Sequence, residues 1–122
     1  MAEDIARHRG PLSESTGGKL IKIAATSSTG TLVHTTTTGQ FEKLWILASN
    51  EHTTTVTVTV EWGGTTSDDR WSLDIDPTDG PIEVVSGWVL GDTSTTYNVR
   101  IYASVANVIY VLGESILIEN TI

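Results

Sequence analysis

The chain has 122 residues and no cysteine, and its fifteen acidic and seven basic residues give a net charge of −8. This length is typical of one domain, and the missing thiols exclude disulfides, thiolate metal sites and cysteine nucleophiles. A phosphate backbone repels so acidic a protein, so we expect no nucleic-acid partner.

Residues 1–18 offer few side chains to bury and end in two glycines, so we predict an extended N-terminal arm before one domain at residues 19–122. Two arginines, Arg7 and Arg9, lie in this arm although the chain as a whole is acidic. One interpretation is a disordered terminus. The other is an arm that docks on a neighbouring subunit, in which case removing residues 1–17 leaves the fold intact and weakens assembly.

The N-terminal sequence Met1–Ile5 carries acids where a signal peptide has bases, and no apolar run follows it. No stretch approaches the roughly 20 apolar residues of a membrane helix. We therefore expect a protein that is made in a cytoplasm and has no membrane partner.

From Lys19 onward, short apolar or alternating runs are separated by turn residues, with no helical period. Such regular spacing predicts an all-β fold, either an antiparallel β-sandwich or a jelly-roll-like barrel of about eight strands. Gly87 is predicted to form a bulge within one of them. The predicted strands cover residues 20–26, 31–37, 41–49, 54–62, 71–75, 82–90, 97–104, 108–112 and 115–119.

The clearest strand, Thr54–Trp62, alternates strictly between polar and apolar residues from Thr55 onward. Period-two alternation is typical of a sheet with one buried and one solvated face. The predicted inward residues are Val56, Val58, Val60 and Trp62, and the predicted solvent-facing residues are Thr55, Thr57, Thr59 and Glu61.

Two strands, Leu44–Ala48 and Val108–Leu112, are apolar on both faces. A two-layer sandwich covers only one face of each strand, so the other face is expected to meet a partner and to support a homo-oligomer. With the two arm arginines, the candidate interface residues are Arg7, Arg9, Leu44, Trp45, Leu47, Ile109 and Val111.

Catalytic chemistry finds no support in the sequence. His8, His34 and His52 stand in unrelated contexts without metal-ligand spacing. The acids of Asp74–Gly80 resemble a calcium loop only faintly, because the third acid is one place late and a proline interrupts it, so an Asp-Pro turn is the better interpretation. We therefore expect no enzyme, no cofactor and no metal site.

Four tryptophans, Trp45, Trp62, Trp71 and Trp88, are many for this length and leave one alternative. β-Sandwich carbohydrate-binding modules hold sugars on exposed aromatic faces. Two observations argue against sugar binding: Trp62 is in phase with the inward valines, and Trp88 lies in an apolar run. A sugar-binding module of the fibre or adhesin type therefore remains the second hypothesis.

Five segments of the chain form a distinctive series, namely Lys22–Thr26, Gly30–Thr35, Leu44–Asn50, Val58–Thr66 and Ala103–Val108. The most distinctive elements are Glu-Trp-Gly-Gly-Thr-Thr and Ala-Ser-Val-Ala-Asn. Taken in this order, the segments resemble a group of small β-sandwich virion proteins of tailed bacteriophages that are usually encoded among the head genes, and the resemblance covers residues 20–113.

The resemblance implies a structural virion protein without catalytic residues, such as a capsid decoration (cement) protein that binds the major capsid protein or other virion proteins. A neck, tail or fibre-base component is an open alternative. The acidic charge agrees with a position facing outward, away from packaged DNA.

Overall fold

The computed structural model describes residues 9–118, which form nine strands and one short 3₁₀ turn at Ser67–Asp69. The predicted all-β class is confirmed. The strands are β1 (Arg9–Pro11), β2 (Ile21–Ile23), β3 (Thr31–Thr35), β4 (Phe41–Asn50), β5 (Val56–Trp62), β6 (Arg70–Ile75), β7 (Ile82–Gly91), β8 (Asn98–Ala103) and β9 (Ile109–Ile118).

Two antiparallel sheets pack against each other as a β-sandwich. The first sheet, here called sheet A, has the order β1-β9-β4-β7, with β2 also paired to β9. The second sheet, sheet B, has the order β3-β8-β5-β6. Edge strands β6 and β7 lie at one side of the sandwich, where the indole Nε1 of Trp71 donates to the carbonyl of Val84 at 3.3 Å.

The core consists of the inward residues of both sheets. Val56, Val58 and Val60 are fully buried as predicted, and Thr55 and Thr57 are exposed. The same alternation continues in β8, where three apolar side chains point inward, namely Val99, Ile101 and Ala103.

The prediction that Thr59 and Glu61 face water is wrong, because Thr59 is only 5% exposed and Glu61 is completely buried. The loop before β3 crosses the outer face of sheet B at this point. The Ser28 hydroxyl donates to Glu61 Oε2 at 2.5 Å, and the Gly30 amide donates to Oε1 at 2.8 Å. These bonds replace the water that the carboxylate would otherwise need.

The two predicted C-terminal strands are one continuous strand, β9, which runs through Gly113. A Cβ at this glycine would lie 2.1 Å from the carbonyl oxygen of Trp45. Gly113 therefore permits a close approach of β9 to β4 and does not end the strand.

The predicted bulge at Gly87 is confirmed. The register between β4 and β7 shifts between the pairs Leu44↔Trp88 and Trp45↔Ser86, and Gly87 has φ +78°. A Cβ at Gly87 would come within 2.9 Å of the Trp45 indole, so the bulge also makes room for that ring.

The predicted boundary at residues 18 and 19 requires correction, because Arg9–Pro11 pair with β9 of the same chain and Leu12 is buried in the core. A short segment of the arm is therefore part of the sandwich. The interpretation of residues 1–8, Arg7 included, lies outside the described residues. Within residues 9–118, no helix is long and apolar enough to cross a membrane.

Candidate functional site: the apolar outer face of sheet A

The outer face of sheet A is lined with large apolar side chains. In β4, Trp45 and Leu47 point outward, because they alternate with Leu44, Ile46 and Ala48, which are fully buried. Cross-strand pairing extends the outward set across β9 and β7. We call this surface the apolar face; its members are Phe41, Trp45, Leu47, Val89, Tyr110, Leu112, Ile116 and Ile118.

The outer face of sheet B has the opposite character. Its positions on β5, β6 and β8 carry hydroxyl and charged groups, and these groups bond to one another across the strands. Thr57 donates to Asp74 at 2.7 Å, and Arg70 donates to the hydroxyl of Tyr102 at 3.3 Å. The two faces of one small sandwich therefore differ in polarity, as expected if one face meets water and the other meets a partner.

A shallow depression lies at the centre of the apolar face. It measures about 370 Å³ and is lined by Trp45, Leu47, Glu83, Leu112, Gly113 and Glu114. The Trp45 ring rests on the Gly87 bulge and carries the Lys43 ammonium 5.5 Å from its centroid. Backbone geometry on one side and a cation on the other thus fix an aromatic side chain at the surface.

The charges on the apolar face nearly balance. Among residues 9–118, three cations (Arg9, Lys22 and Lys43) and three anions (Glu51, Glu83 and Glu114) lie on it or at its margin. Glu51 lies beside Ser49 and Tyr110, and the others pair in register with members of the face. Arg9 binds Glu114 through Nη2 at 2.6 Å. Because the whole chain has a charge of −8, most of the acidity lies elsewhere, and this face can approach a protein partner with little like-charge repulsion.

The structure separates the predicted interface residues into three groups. Trp45 and Leu47 lie on the apolar face, and Arg9 lies at its margin. Leu44, Ile109 and Val111 are fully buried between the sheets, so the prediction that they contact a partner is wrong. Sequence alternation places neighbours on opposite faces, and only their burial in the folded sandwich shows which face is inside.

A second feature is a buried polar cluster at one end of the core, formed by His34, Glu42 and Ser115. His34 Nε2 lies 2.7 Å and Ser115 Oγ 2.5 Å from Glu42 Oε1. The Ser13 amide donates to His34 Nδ1 at 2.9 Å. Because a backbone N–H can only donate, the ring proton lies on Nε2 and points at the carboxylate.

The cluster favours a structural role over a catalytic one. Burial raises the pKa of the Glu42 carboxyl, but hydrogen bonds from His34, Ser115 and the Thr37 amide outweigh burial and lower the pKa to about 2. Such a carboxylate is a weak base at neutral pH. The hydroxyl of Ser115 donates to this weak base, which does not activate it as a nucleophile.

The lowered pKa of Glu42 gives a testable pH dependence. The folded value of about 2 lies below the ordinary value of 4.5, so its stabilisation is complete above pH 4.5 and is lost as pH falls toward 2. We expect a loss of about 2 kcal/mol, because His34, Glu42 and Ser115 line an open pocket through which solvent can screen part of the interaction. Urea unfolding of the parent and of Glu42→Gln from pH 6 to pH 2.5 should show the difference shrinking with acidity. A constant difference would contradict this assignment.

Three of the four tryptophans meet at the open side of the sandwich. Trp71 and Trp88 have ring centroids 4.9 Å apart, and Trp62 lies 5.8 Å from Trp71. Trp88 is 48% exposed, whereas Trp62 is half-buried, which agrees only in part with its predicted inward position. The cluster closes the gap between the two edge strands, and Trp88 is the most exposed of its three indoles.

The acidic turn after β6 closes on itself. The Asp76 amide donates to Asp79 Oδ2 at 3.0 Å, and the Asp79 amide donates to the Asp76 carbonyl at 3.1 Å. Gly80 follows with φ +71°. The Asp79 carboxylate therefore stabilises the turn, as an Asp side chain commonly does.

Sequence reasoning missed the pairing of Glu42 with His34, although one signal was present. Glu42 is in phase with Leu44, Ile46 and Ala48, so an inward strand face begins with an acid. A buried acid requires hydrogen-bond partners. The alternation identifies the need for a partner but not the residue that meets it.

No protein-family model matches this chain, and neither the curated proteins nor the solved structures gave a significant match.

Proposed function

We propose that this chain is a non-enzymatic structural protein of a tailed-phage virion, most simply a capsid decoration protein that docks its apolar face on the major capsid protein or another virion protein. The observation that carries the proposal is the contrast between the two outer faces of the sandwich. One is apolar and nearly neutral in charge, and the other is polar and internally bonded.

The chemistry of a decoration protein fits these features. Many copies on one particle require solubility, which the charge of −8 supplies on the surface that remains in water. Docking requires a flat apolar surface with a fixed anchor, and the five-stranded sheet supplies it with Trp45 at the centre. The sequence resemblance to phage head proteins supplies the biological setting, and a neck or tail position uses the same surface.

Sugar binding is the second candidate, supported by the partial exposure of Trp88. An exposed indole offers one face on which a pyranose can stack. A change in tryptophan emission on titration with oligosaccharides, lost in Trp88→Ala but retained in Leu47→Lys, would favour this role over the virion role.

A matched pair of lysine substitutions tests the virion role. Leu47 lies opposite Glu83 on the apolar face, and Thr57 lies opposite Asp74 on the polar face. Leu47→Lys and Thr57→Lys each place a cation opposite a carboxylate, so both are expected to fold. Losing one buried leucine from an interface corresponds to about 1.5–3 kcal/mol, or a roughly 10- to 100-fold weaker association.

The assay is co-sedimentation of purified protein with virions of the phage that encodes the chain. We expect the parent and Thr57→Lys to sediment with the particles and Leu47→Lys to remain in the supernatant. If the parent protein does not bind, or if both variants bind equally, the proposal fails.

A further inference from the structure

The first described segment, residues 9–14, occupies a binding site formed by β9 of sheet A and β3 of sheet B. We call this site the seat. β1 pairs with β9 of sheet A in the register Arg9↔Ile116, Gly10↔Ser115 and Pro11↔Glu114. Leu12 is 1% exposed and belongs to the core. The segment thus behaves as a peptide ligand held by main-chain pairing and one buried anchor.

The other half of the seat is on β3 of sheet B. The Glu14 amide donates to the Val33 carbonyl at 3.3 Å, and the Ser13 hydroxyl accepts from the Thr35 amide at 2.7 Å. The Ser13 amide donates a hydrogen bond to His34 Nδ1 in the buried polar cluster. An empty seat would leave His34 Nδ1 without this donor and expose the cavity that Leu12 fills, so the seat favours an occupied state.

The connector from this segment to β2, residues 15–20, is held to the two sheets by few interactions. Its hydrogen bonds among the described residues are local, such as Lys19 N to Thr16 O at 3.1 Å. Gly17 and Gly18 have φ of +62° and +83°, and a Cβ on either would meet no atom within 4 Å. Leu20 is 56% exposed. Six residues of this kind can extend to about 20 Å, and their extension would not disturb the packing of the core.

We propose that residues 9–14 exchange between copies of this chain, so that the segment of one copy occupies the seat of another. The seat recognises the segment by two contacts that are the same whichever copy supplies it: the β1–β9 register and the Leu12 cavity. Exchange therefore costs only the opening of the connector and the association entropy, and it becomes favourable when neighbours are held close together.

The occupant is a second copy of this chain because no feature of the seat has to change to accept it. Reciprocal exchange gives a closed dimer, and head-to-tail exchange gives a ring or lattice. This inference concerns contacts between copies and does not depend on what the apolar face binds.

Two mixtures of single-cysteine variants test the exchange, since the natural chain has no cysteine. The first mixture contains Pro11→Cys and Glu114→Cys, which are opposite each other in the β1–β9 register. The control contains Lys22→Cys and Tyr110→Cys, opposite in the β2–β9 register, beyond the connector. All four positions are at the surface or half-buried, so the variants should fold. A disulfide in either mixture can join only different copies.

Each mixture is concentrated, oxidised and run on a non-reducing gel, without virions. Exchange predicts a disulfide-linked dimer band from the mixture of Pro11→Cys and Glu114→Cys that grows with protein concentration. This band should be several-fold stronger than the bands from the control mixture and from either variant oxidised alone. Equal bands from the two mixtures, whether both weak or both strong, would overturn the proposal. The virion assay and this gel can fail independently, so each proposal has its own outcome.

Discussion

Val58→Asp should lower the free energy of unfolding by about 3–5 kcal/mol, which is a large part of the stability of a typical domain. Val58 is fully buried between the sheets, opposite Leu73 on one side and Ala103 on the other. A carboxylate there would lose its water and gain no cation, because its neighbours in the register are apolar. Urea unfolding followed by circular dichroism measures the effect.

The control for this prediction is the adjacent residue on the other face. Thr57→Asn removes an exposed hydroxyl that bonds Asp74 and should cost less than about 1 kcal/mol. If Val58→Asp and Thr57→Asn unfold at the same urea concentration, the register of β5 in this fold is incorrect.

The strands of this fold were predictable where side-chain alternation or turn residues mark them. Thr54–Trp62 and Tyr97–Ser104 showed their buried faces directly, and both predictions agree with β5 and β8 to within two residues at each end. The bulge at Gly87 was also predictable, because a glycine lies between two apolar runs of the strand, Val84–Val85 and Trp88–Leu90. Side-chain alternation and turn residues predict a strand where residues that are neighbours along the chain determine its structure.

Contacts distant in sequence were not predictable in the same way. The loop of Ser28–Gly30 covers Glu61, and Arg9–Pro11 pair with β9 more than one hundred residues away. Neither segment carries a strand pattern of its own. Its conformation depends on a surface that exists only after the rest of the chain has folded, so composition alone suggested a solvated strand face and a free arm.

The candidate site was half predictable for a related reason. Apolar residues on both faces of Leu44–Ala48 correctly indicated an uncovered apolar surface. The sequence did not show which face is covered, and the list of interface residues therefore mixed Leu44 with Trp45. Glu42 alternates in phase with Leu44, so an acid on this face argued against burying it. Only the hydrogen bond from His34 explains how the buried acid is accommodated.

Leu12→Ala should destabilise the domain by about 2–4 kcal/mol, as expected for a leucine that leaves a cavity in a packed core. Leu12 is 1% exposed, although sequence composition placed it in a dispensable arm. Leu20→Ala is the matched control, because Leu20 is 56% exposed in the same part of the chain and its loss should cost less than about 0.5 kcal/mol. Thermal and urea unfolding compare the two variants. Equal stabilities would show that the N-terminal segment is not part of the fold and that removal of residues 1–17 is tolerated.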